Sequence, residues 1–554
     1  MPFISASVIS PYNSIRGGAE GGLVPTGLLL DLYPNAAAAY SLRKLRTSYS
    51  GPAIEARKTV AGETFVQDIG FVGNELDTAS LLTFAEGGDV FVAKWYDQSE
   101  EGNDAAQVSE SAQPQIVSSG LVIKVNNVAA IDFDGTNNYL ETDTFTEIPQ
   151  PTSYFGVFKF DESKNQNIFD GSSANRQLIG GFDATYKLFA GIQITGGITN
   201  TNQNSFNGIL STTDSLFINN ISVISGNAGS GEIDEIVMGS NIFRNGGYLN
   251  GKIQELIFYP SDQSENRADI EANINKNYNI YWDGSQTGLL DDYPNAAAAY
   301  SLRALNSAYT GPAIEARKTV GGETFVQNVG FLYDGSLDTE SLLSFADGED
   351  VFVAKWYDQS GNGYDSLQPF DAQQPQIVDL GSVVTLNGNP TILSSVGKAM
   401  YTASNSVPVV GDLGERSSFS VLNSNASGLQ VAISYVDGGT NLWIPIAFNT
   451  GIALSRNNDP ASNATAPYTA NSDVVFTSLL NSTNSEVFLN GVSGGGVTGF
   501  IPQTGTSKIN VFARYANVWS LVGQVSEIIL YPSDQTANRV EIETNINNHY
   551  TIYP

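Results

Sequence analysis

Cysteine is absent from this 554-residue chain, which excludes disulfide frameworks, Cys-ligated zinc and thiol nucleophiles. Histidine occurs once, at His549, so neither a His-based triad nor a multi-histidine metal site is expected. Nowhere do eighteen apolar residues follow one another, and no transmembrane helix or membrane insertion is expected. Basic residues are scarce: 26 Lys and Arg stand against 57 Asp and Glu, a formal net charge of −31. That balance argues against any general affinity for nucleic acid or anionic membranes, which need clustered cations. Charged residues of both signs make up only 15% of the chain, so its polarity comes mainly from uncharged groups. The 41% hydrophobic content still suffices for globular cores rather than disorder. No phosphate-binding glycine loop, kinase signature or nucleophile elbow is present. The first ten residues lack the basic region and continuous apolar run of a signal peptide.

What is present is a long internal repeat. YPNAAAAYSL at 33–42 recurs at 293–302, and GPAIEARKTV at 51–60 recurs unchanged at 311–320. FVAKWYDQS at 91–99 returns at 352–360, and QPQIV at 113–117 returns at 374–378. The ends also correspond: GKIQELIFYPSDQSENRADIEANINKNY (251–278) parallels GQVSEIILYPSDQTANRVEIETNINNHY (523–550). An offset of this length marks tandem duplication of a whole domain, not a solenoid. Two domains are expected, at 26–283 and 286–554, after a short arm at 1–25.

Each copy reads the same way. Residues 36–46 permit either a short helix or a strand, because their alanines allow both. Alternation of apolar and charged residues at 53–57 suits a half-solvated strand, with Arg57 and Arg317 in surface ion pairs with Glu55 and Glu315. Asp77 before Leu81-Leu82, and Asp338 before Leu342-Leu343, predict capped short helices. Residues 90–96 form a strand rich in branched and aromatic side chains. Short apolar runs separated by Gly, Asn, Asp and Ser then fill 125–258. A strand at 253–259 or 525–531, a Pro-Ser-Asp turn and a helix close each copy. Ile270, Ile274 and Tyr278, like Ile542, Ile546 and Tyr550, fall on one helical stripe that would pack onto the sheet. His549 on the last helix is expected to face solvent. The copies differ most at their middles, DFDGTNNY at 132–139 against TILSS at 391–395, as when a scaffold is kept and its loops change.

AAAAYSLR, SYSGPAIEARK and WYDQS, followed in the second copy by GNG, resemble the β-sandwich of family 54 α-L-arabinofuranosidases. FDGTNNY and the terminal strand, proline and helix resemble concanavalin A-like (laminin-G-like) lectin modules. The resemblance implies an all-β fold: two tandem concanavalin A-like jelly-roll β-sandwiches, each closing with a short C-terminal helix, after an extended N-terminal arm. It implies surface glycans as partners, but not catalysis, since no motif matches the family's catalytic half and its cysteine pairs are absent. A glycosidase needs two suitably spaced carboxyl groups. The alternative of a secreted glycoside hydrolase is kept on the strength of the family, and a ligand-free structural spacer is a third reading.

The apolar arm, with Phe3, Ile4, Val8, Ile9 and Tyr12, precedes a glycine-rich hinge outside the repeat. Such an arm before duplicated lectin-like domains resembles virion proteins of tailed bacteriophages: a head fibre, capsid decoration or tail-associated adhesin. The resemblance implies anchoring to capsid or tail proteins of the same particle, display on the virion surface, synthesis in the host cytoplasm, and a homo-oligomer, trimers included.

Two loops have oxygen-bearing residues at alternate positions before a glycine: Asp97, Ser99 and Glu101 with Asp104 following, and Asp358, Ser360 and Asn362 with Asp365 following. That spacing fits a calcium loop, but carboxylates that simply cap their own turns are the preferred reading. The bidentate acid of a full calcium loop is missing, with Val108 and Pro369 in its place. No cofactor is otherwise required. Trp95 and Trp356 lie within apolar strands and suit core packing, whereas Tyr139, Trp443 and Trp519 are candidates for stacking on sugar rings, with Trp282 also scattered along the chain.

Overall fold

The computed structural model describes residues 27–148, 152–162, 164–171, 176–182, 187–194, 197–198, 204–206, 209–211, 222–228, 233–263, 265–403, 407, 415–425, 428–437, 441–448, 451–456, 464–481, 485–497, 508–513 and 519–554. The arm with Phe3, Ile4, Val8, Ile9 and Tyr12 therefore lies outside the described residues. The chain divides into two compact units, one at Gly22–Tyr281 and one beginning at Trp282 and running to Pro554. Trp282 donates its backbone N–H to the Phe331 carbonyl at 3.0 Å and packs on the second core, so it belongs to the second unit.

Both units are antiparallel all-β sandwiches of jelly-roll type, and their strand pairings match. In the first, the long strand Asn250–Tyr259 is central. Along one edge it pairs successively with Ala38–Ser41 and Ile131–Asp134, and along the other with Thr152–Phe160. In the second, Gly523–Tyr531 has the same neighbours: Ala298–Ser301, Ile392–Ser394 and Arg416–Ser424. From Ile131–Asp134 the sheet continues through Gln115–Ser118, Val90–Trp95 and Ile54–Val60 to Glu63–Ile69. A second path leaves Val90–Trp95 through Ala105–Ala106, Leu140–Thr142 and Val237–Met238, forming the facing layer. Residues 36–46 thus carry a strand, Ala38–Ser41, because backbone pairing to the central strand overrides the helix propensity of alanine.

The central strand is buried on both faces. Leu256 and Phe258 enter the core between the layers, while Ile257 and Tyr259 face the closing helix Arg267–Tyr278. Ile270, Ile274 and Tyr278 are fully buried there, as are Ile542 and Ile546 on Arg539–Tyr550, with Tyr550 at 1%. Each such apolar side chain contributes about 2 kcal/mol by leaving water. Gly251, the second residue of its central strand, and Gly523, the first of its own, carry no side chain because a Cβ would collide with the Lys159 and Asn423 carbonyls. The predicted capped helices are Thr78–Ala85 and Thr339–Ala346, with Asp77 accepting from Ser80 N–H and Asp338 from Ser341 N–H, each at 2.9 Å.

Candidate functional site

The repeated motif WYDQS is a latch on the first strand of each unit. Asp97 Oδ1 accepts from the N–H groups of Ala39 and Ser99, both at 2.8 Å. Its Oδ2 accepts from the Ser99 hydroxyl at 2.6 Å and Asn103 N–H at 3.0 Å. Asp358 makes the same bonds to Ala299, Ser360 and Tyr364 at 2.8–2.9 Å. Gln98 and Gln359 continue the latch, donating to the carbonyls of Ser41 and Arg43, or Ser301 and Arg303. Asp104 and Asp365 stand behind, each accepting a backbone N–H at 3.0 Å from Asp97 or Asp358. Burial raises both their pKa values. Glu101 and Asn362 are exposed, and the Asn362 amide donates to the Ala296 and Ala297 carbonyls. The carboxylates central to the calcium-like spacing are thus engaged in capping turns.

Beside the latch lies a buried ionic cluster. Glu255, fully buried, receives Arg43 Nε at 2.8 Å and Nη2 at 3.0 Å, the Ser41 hydroxyl at 2.7 Å and the Tyr278 hydroxyl at 3.0 Å. Glu527 receives Arg303, Ser301 and Tyr550 in the same pattern. Burial opposes the Glu527 charge, but the Arg303 guanidinium outweighs it and holds the carboxyl below its usual range. His549 does not simply face solvent, because the ring lies half-buried and edge-on to Tyr550. Burial and then the neighbouring Arg303 push its pKa down to about 4. The Glu255 and Glu527 carboxylates are fully buried and bonded on several sides, so these clusters hold the fold.

A cleft in the second unit is different: it is open, polar and about 430 Å³ in volume. Its floor is the Phe352 ring, with the Arg317 guanidinium 5.0 Å and Lys398 Nζ 5.3 Å from the centroid. Arg317 is 5% exposed and is held by Gln374, by Thr319 Oγ1 at 2.6 Å and by Asp371 at 3.6 Å. The expected surface pairing of Arg57 and Arg317 with Glu55 and Glu315 is therefore corrected. Both arginines turn under the neighbouring loop, and the carboxylates they meet are Glu110 and Asp371. Lys398 donates to the Ala372 carbonyl at 3.0 Å, and burial followed by Arg317 lowers its pKa. Glu349, Asp350 and Asp371 bring carboxylates to the same cleft. In the first unit Arg57 lies 4.8 Å from Phe91, but Asn137 takes the lysine's place and reaches the Ser111 carbonyl at 3.0 Å. There Gly88 stands where the second unit has Glu349.

Trp95 and Trp356 are fully buried, with Trp356 lying between Tyr300 and Phe512 in the core. Tyr139 is half-buried in the first unit, and Trp519 half-buried in the second. The backbone of Trp443 sits in strand Asn441–Phe448 opposite Tyr435 and Arg456, while its side chain lies outside the described residues. No group of three or more metal-ligating residues occurs among the described residues. The cleft residues Phe352, Asp371 and Lys398 escaped sequence reasoning. The available signal was the Arg of the unchanged GPAIEARKTV decapeptide, which has no reason to persist as a mere surface charge.

No family model and no curated protein matches the chain. Among solved structures it is similar to a GH54 α-L-arabinofuranosidase soaked with a cyclic sulfate inhibitor, at 19% identity and a TM-score of 0.38, over 47% of this chain and 65% of that one. An arabinofuranosidase complexed with arabinofuranosyl-α-1,2-xylobiose gives 19% identity and 0.37, over 47% and 64%. The CBM40 of Ruminococcus gnavus IT-sialidase, bound to α2,3-sialyllactose, gives 11% and 0.21, over 24% and 83%. The chain spans less than two thirds of the arabinofuranosidases' own length. At these scores the likeness says nothing of activity.

Proposed function

We propose that the chain is a non-catalytic carbohydrate-binding protein whose second unit takes a hydroxyl-rich glycan in the Phe352 cleft. One observation carries the reading: the cleft sets acceptors (Glu349, Asp350, Asp371) beside donors (Arg317, Lys398) around a space of about 430 Å³. A sugar hydroxyl both donates and accepts, so a mixed lining satisfies a polyol where a single-sign lining would select an ion. The volume lies in the range of small-ligand sites. The test is a glycan array followed by calorimetric titration of the full chain and of Lys398→Asn, which installs the first unit's residue. Binding that falls about tenfold in the variant is expected for loss of one charged hydrogen bond. No glycan bound by the wild-type chain, or unchanged binding by the variant, overturns the proposal.

We propose further that the two sandwiches stand on the surface of a tailed-phage virion, anchored to capsid or tail proteins by the arm at 1–25. The sequence resemblance motivates this location, and particles assembled with a chain lacking 1–25 test it. Unaltered incorporation refutes the anchoring, and turnover of an aryl-arabinofuranoside would replace binding by hydrolysis.

A further inference from the structure

Arg57 and Arg317 hold the same place in the two units, yet their guanidinium groups are used differently. Arg57 spends every nitrogen on its own unit. Its Nε donates to Gln113, its Nη1 to Thr59 Oγ1 at 2.7 Å and Glu110 Oε2 at 3.4 Å, and its Nη2 to the Glu110 carbonyl at 3.2 Å. Arg317 repeats only the first part, with Nε on Gln374 and Nη1 on Thr319 Oγ1 and, at 3.6 Å, Asp371. Its Nη2 has no acceptor among the described residues and, not being sealed in, opens on the cleft that Arg317 lines. A shorter acid accounts for the difference. Glu110 is long enough for Oε1 to accept from Thr64 Oγ1 at 2.6 Å while Oε2 meets Arg57, which ties its loop down over the arginine. Asp371, one methylene shorter, makes no bond to Thr324 among the described residues, and its carbonyl is not drawn onto Nη2.

Lys398 brings a second cation to the same ring, Nζ lying 5.3 Å from the Phe352 centroid against 5.0 Å for the guanidinium. No carboxylate pairs with it among the described residues; its acceptor is the Ala372 carbonyl at 3.0 Å. An ammonium donates three hydrogen bonds, so donors are left over. Burial and then the Arg317 charge lower its pKa, which shows the two cations working against each other. Such a pair is relieved by an anion that both can hold. The carboxylates of the cleft are otherwise disposed. Asp371 already faces Arg317 Nη1, and Asp350 accepts from Leu380 N–H at 2.9 Å. The Glu349 side chain lines the cleft and makes no bond among the described residues, so it is left to accept from hydroxyls.

We propose that the ligand of this cleft is an acidic glycan, whose carboxylate or sulfate lies between Arg317 Nη2 and Lys398 Nζ while a hydroxyl donates to Glu349. This rests on the reading of the cleft as a glycan site and adds to it the charge of the ligand. The first unit has no such grip, because Arg57 Nη2 is spent on the Glu110 carbonyl and Asn137 stands where the lysine would be. An otherwise acidic chain thus keeps one small cationic site, made by two changes in loops around a repeated arginine.

Calorimetric titration of the full chain with matched pairs tests this, after a glycan array holding acidic and neutral members. The pairs are trigalacturonate with its methyl ester, and a sulfated galactose disaccharide with its desulfated form. A charged hydrogen bond is worth about tenfold or more, so the wild-type chain should prefer the charged member of a pair by at least that factor, at a single site per chain. A preference confined to the first pair identifies a carboxylate, and one confined to the second a sulfate. Lys398→Asn lowers the preference about tenfold, and Lys398→Arg, which keeps the charge, retains it. An unshifted melting transition confirms that each variant remains folded. Array hits that are all neutral, equal affinity for both members of each pair, or an equal fall for both in Lys398→Asn overturn the inference and leave the cleft a glycan site. An array with no hits at all overturns the glycan reading itself, and this inference with it.

Discussion

Glu527→Gln removes one negative charge from a fully buried site. The side chain is fully buried, and it accepts from Ser301 at 2.7 Å and from two nitrogens of Arg303 at 2.8 and 3.0 Å. Glutamine fits the volume, but it points an NH2 donor at the guanidinium and leaves the Arg303 charge without its counter-ion. Breaking a buried pair from one side costs about 3–5 kcal/mol, most of it the stranded charge. For a unit of this size each kcal/mol lowers the melting temperature by about 2–4 °C, so a fall of about 6–20 °C is expected. Scanning calorimetry of the full chain reads this directly: the transition of the second unit moves down while that of the first stays. Glu255→Gln should show the converse, because its cluster is the same. The pH dependence carries a sign. The folded pKa of Glu527 lies below the unfolded one, so its contribution is present above about pH 4.3 and is lost as pH falls through the folded value. A shift below about 2 °C, or equal shifts in both transitions, would refute the reasoning.

His549 gives a second pH effect. Its folded pKa of about 4 lies under the ordinary histidine value of 6.5, so protonation favours the unfolded chain. Stability of the second unit is full above pH 6.5 and declines towards pH 4, and in His549→Asn that part of the decline disappears from the melting curve. At the two Asp latches the carboxylates serve backbone N–H groups, so millimolar calcium or a chelator should leave both melting transitions in place. A calcium-dependent rise would restore the metal reading. Asp358→Ala, by contrast, strands the N–H groups of Ala299, Ser360 and Tyr364 and should destabilise the second unit by about 2–4 kcal/mol in denaturant titrations.

The parts legible in the sequence are those with a period or a duplicate. Ile270, Ile274 and Tyr278 declared a buried helical stripe because spacing alone puts them on one face. Asp77 and Asp338 declared N-caps because a short carboxylate before an apolar run has a specific local use. The strand Ala38–Ser41 stayed ambiguous, since its alanines take either conformation and only pairing with Glu255–Phe258, far along the chain, decides. Arg57 and His549 were misjudged for a related reason. Local pattern shows the face on which a side chain starts, not the loop that later closes over it.

The same reasoning explains why the cleft was invisible. Arg317 and Phe352 belong to the repeat, and their counterparts Arg57 and Phe91 stand in the same cation–ring contact. Repetition therefore marks the floor as scaffold. What separates the two copies is the rim, where Lys398 replaces Asn137 and Glu349 replaces Gly88. Such differences lie in loops far apart in sequence and gain meaning only when the sheet brings them to one ring. The duplication thus supplies an internal control: any ligand that needs Lys398 should bind the second unit and pass over the first. A ligand bound equally by both units would have to be held by the shared arginine and phenylalanine, and the lysine would then be an ornament of the rim.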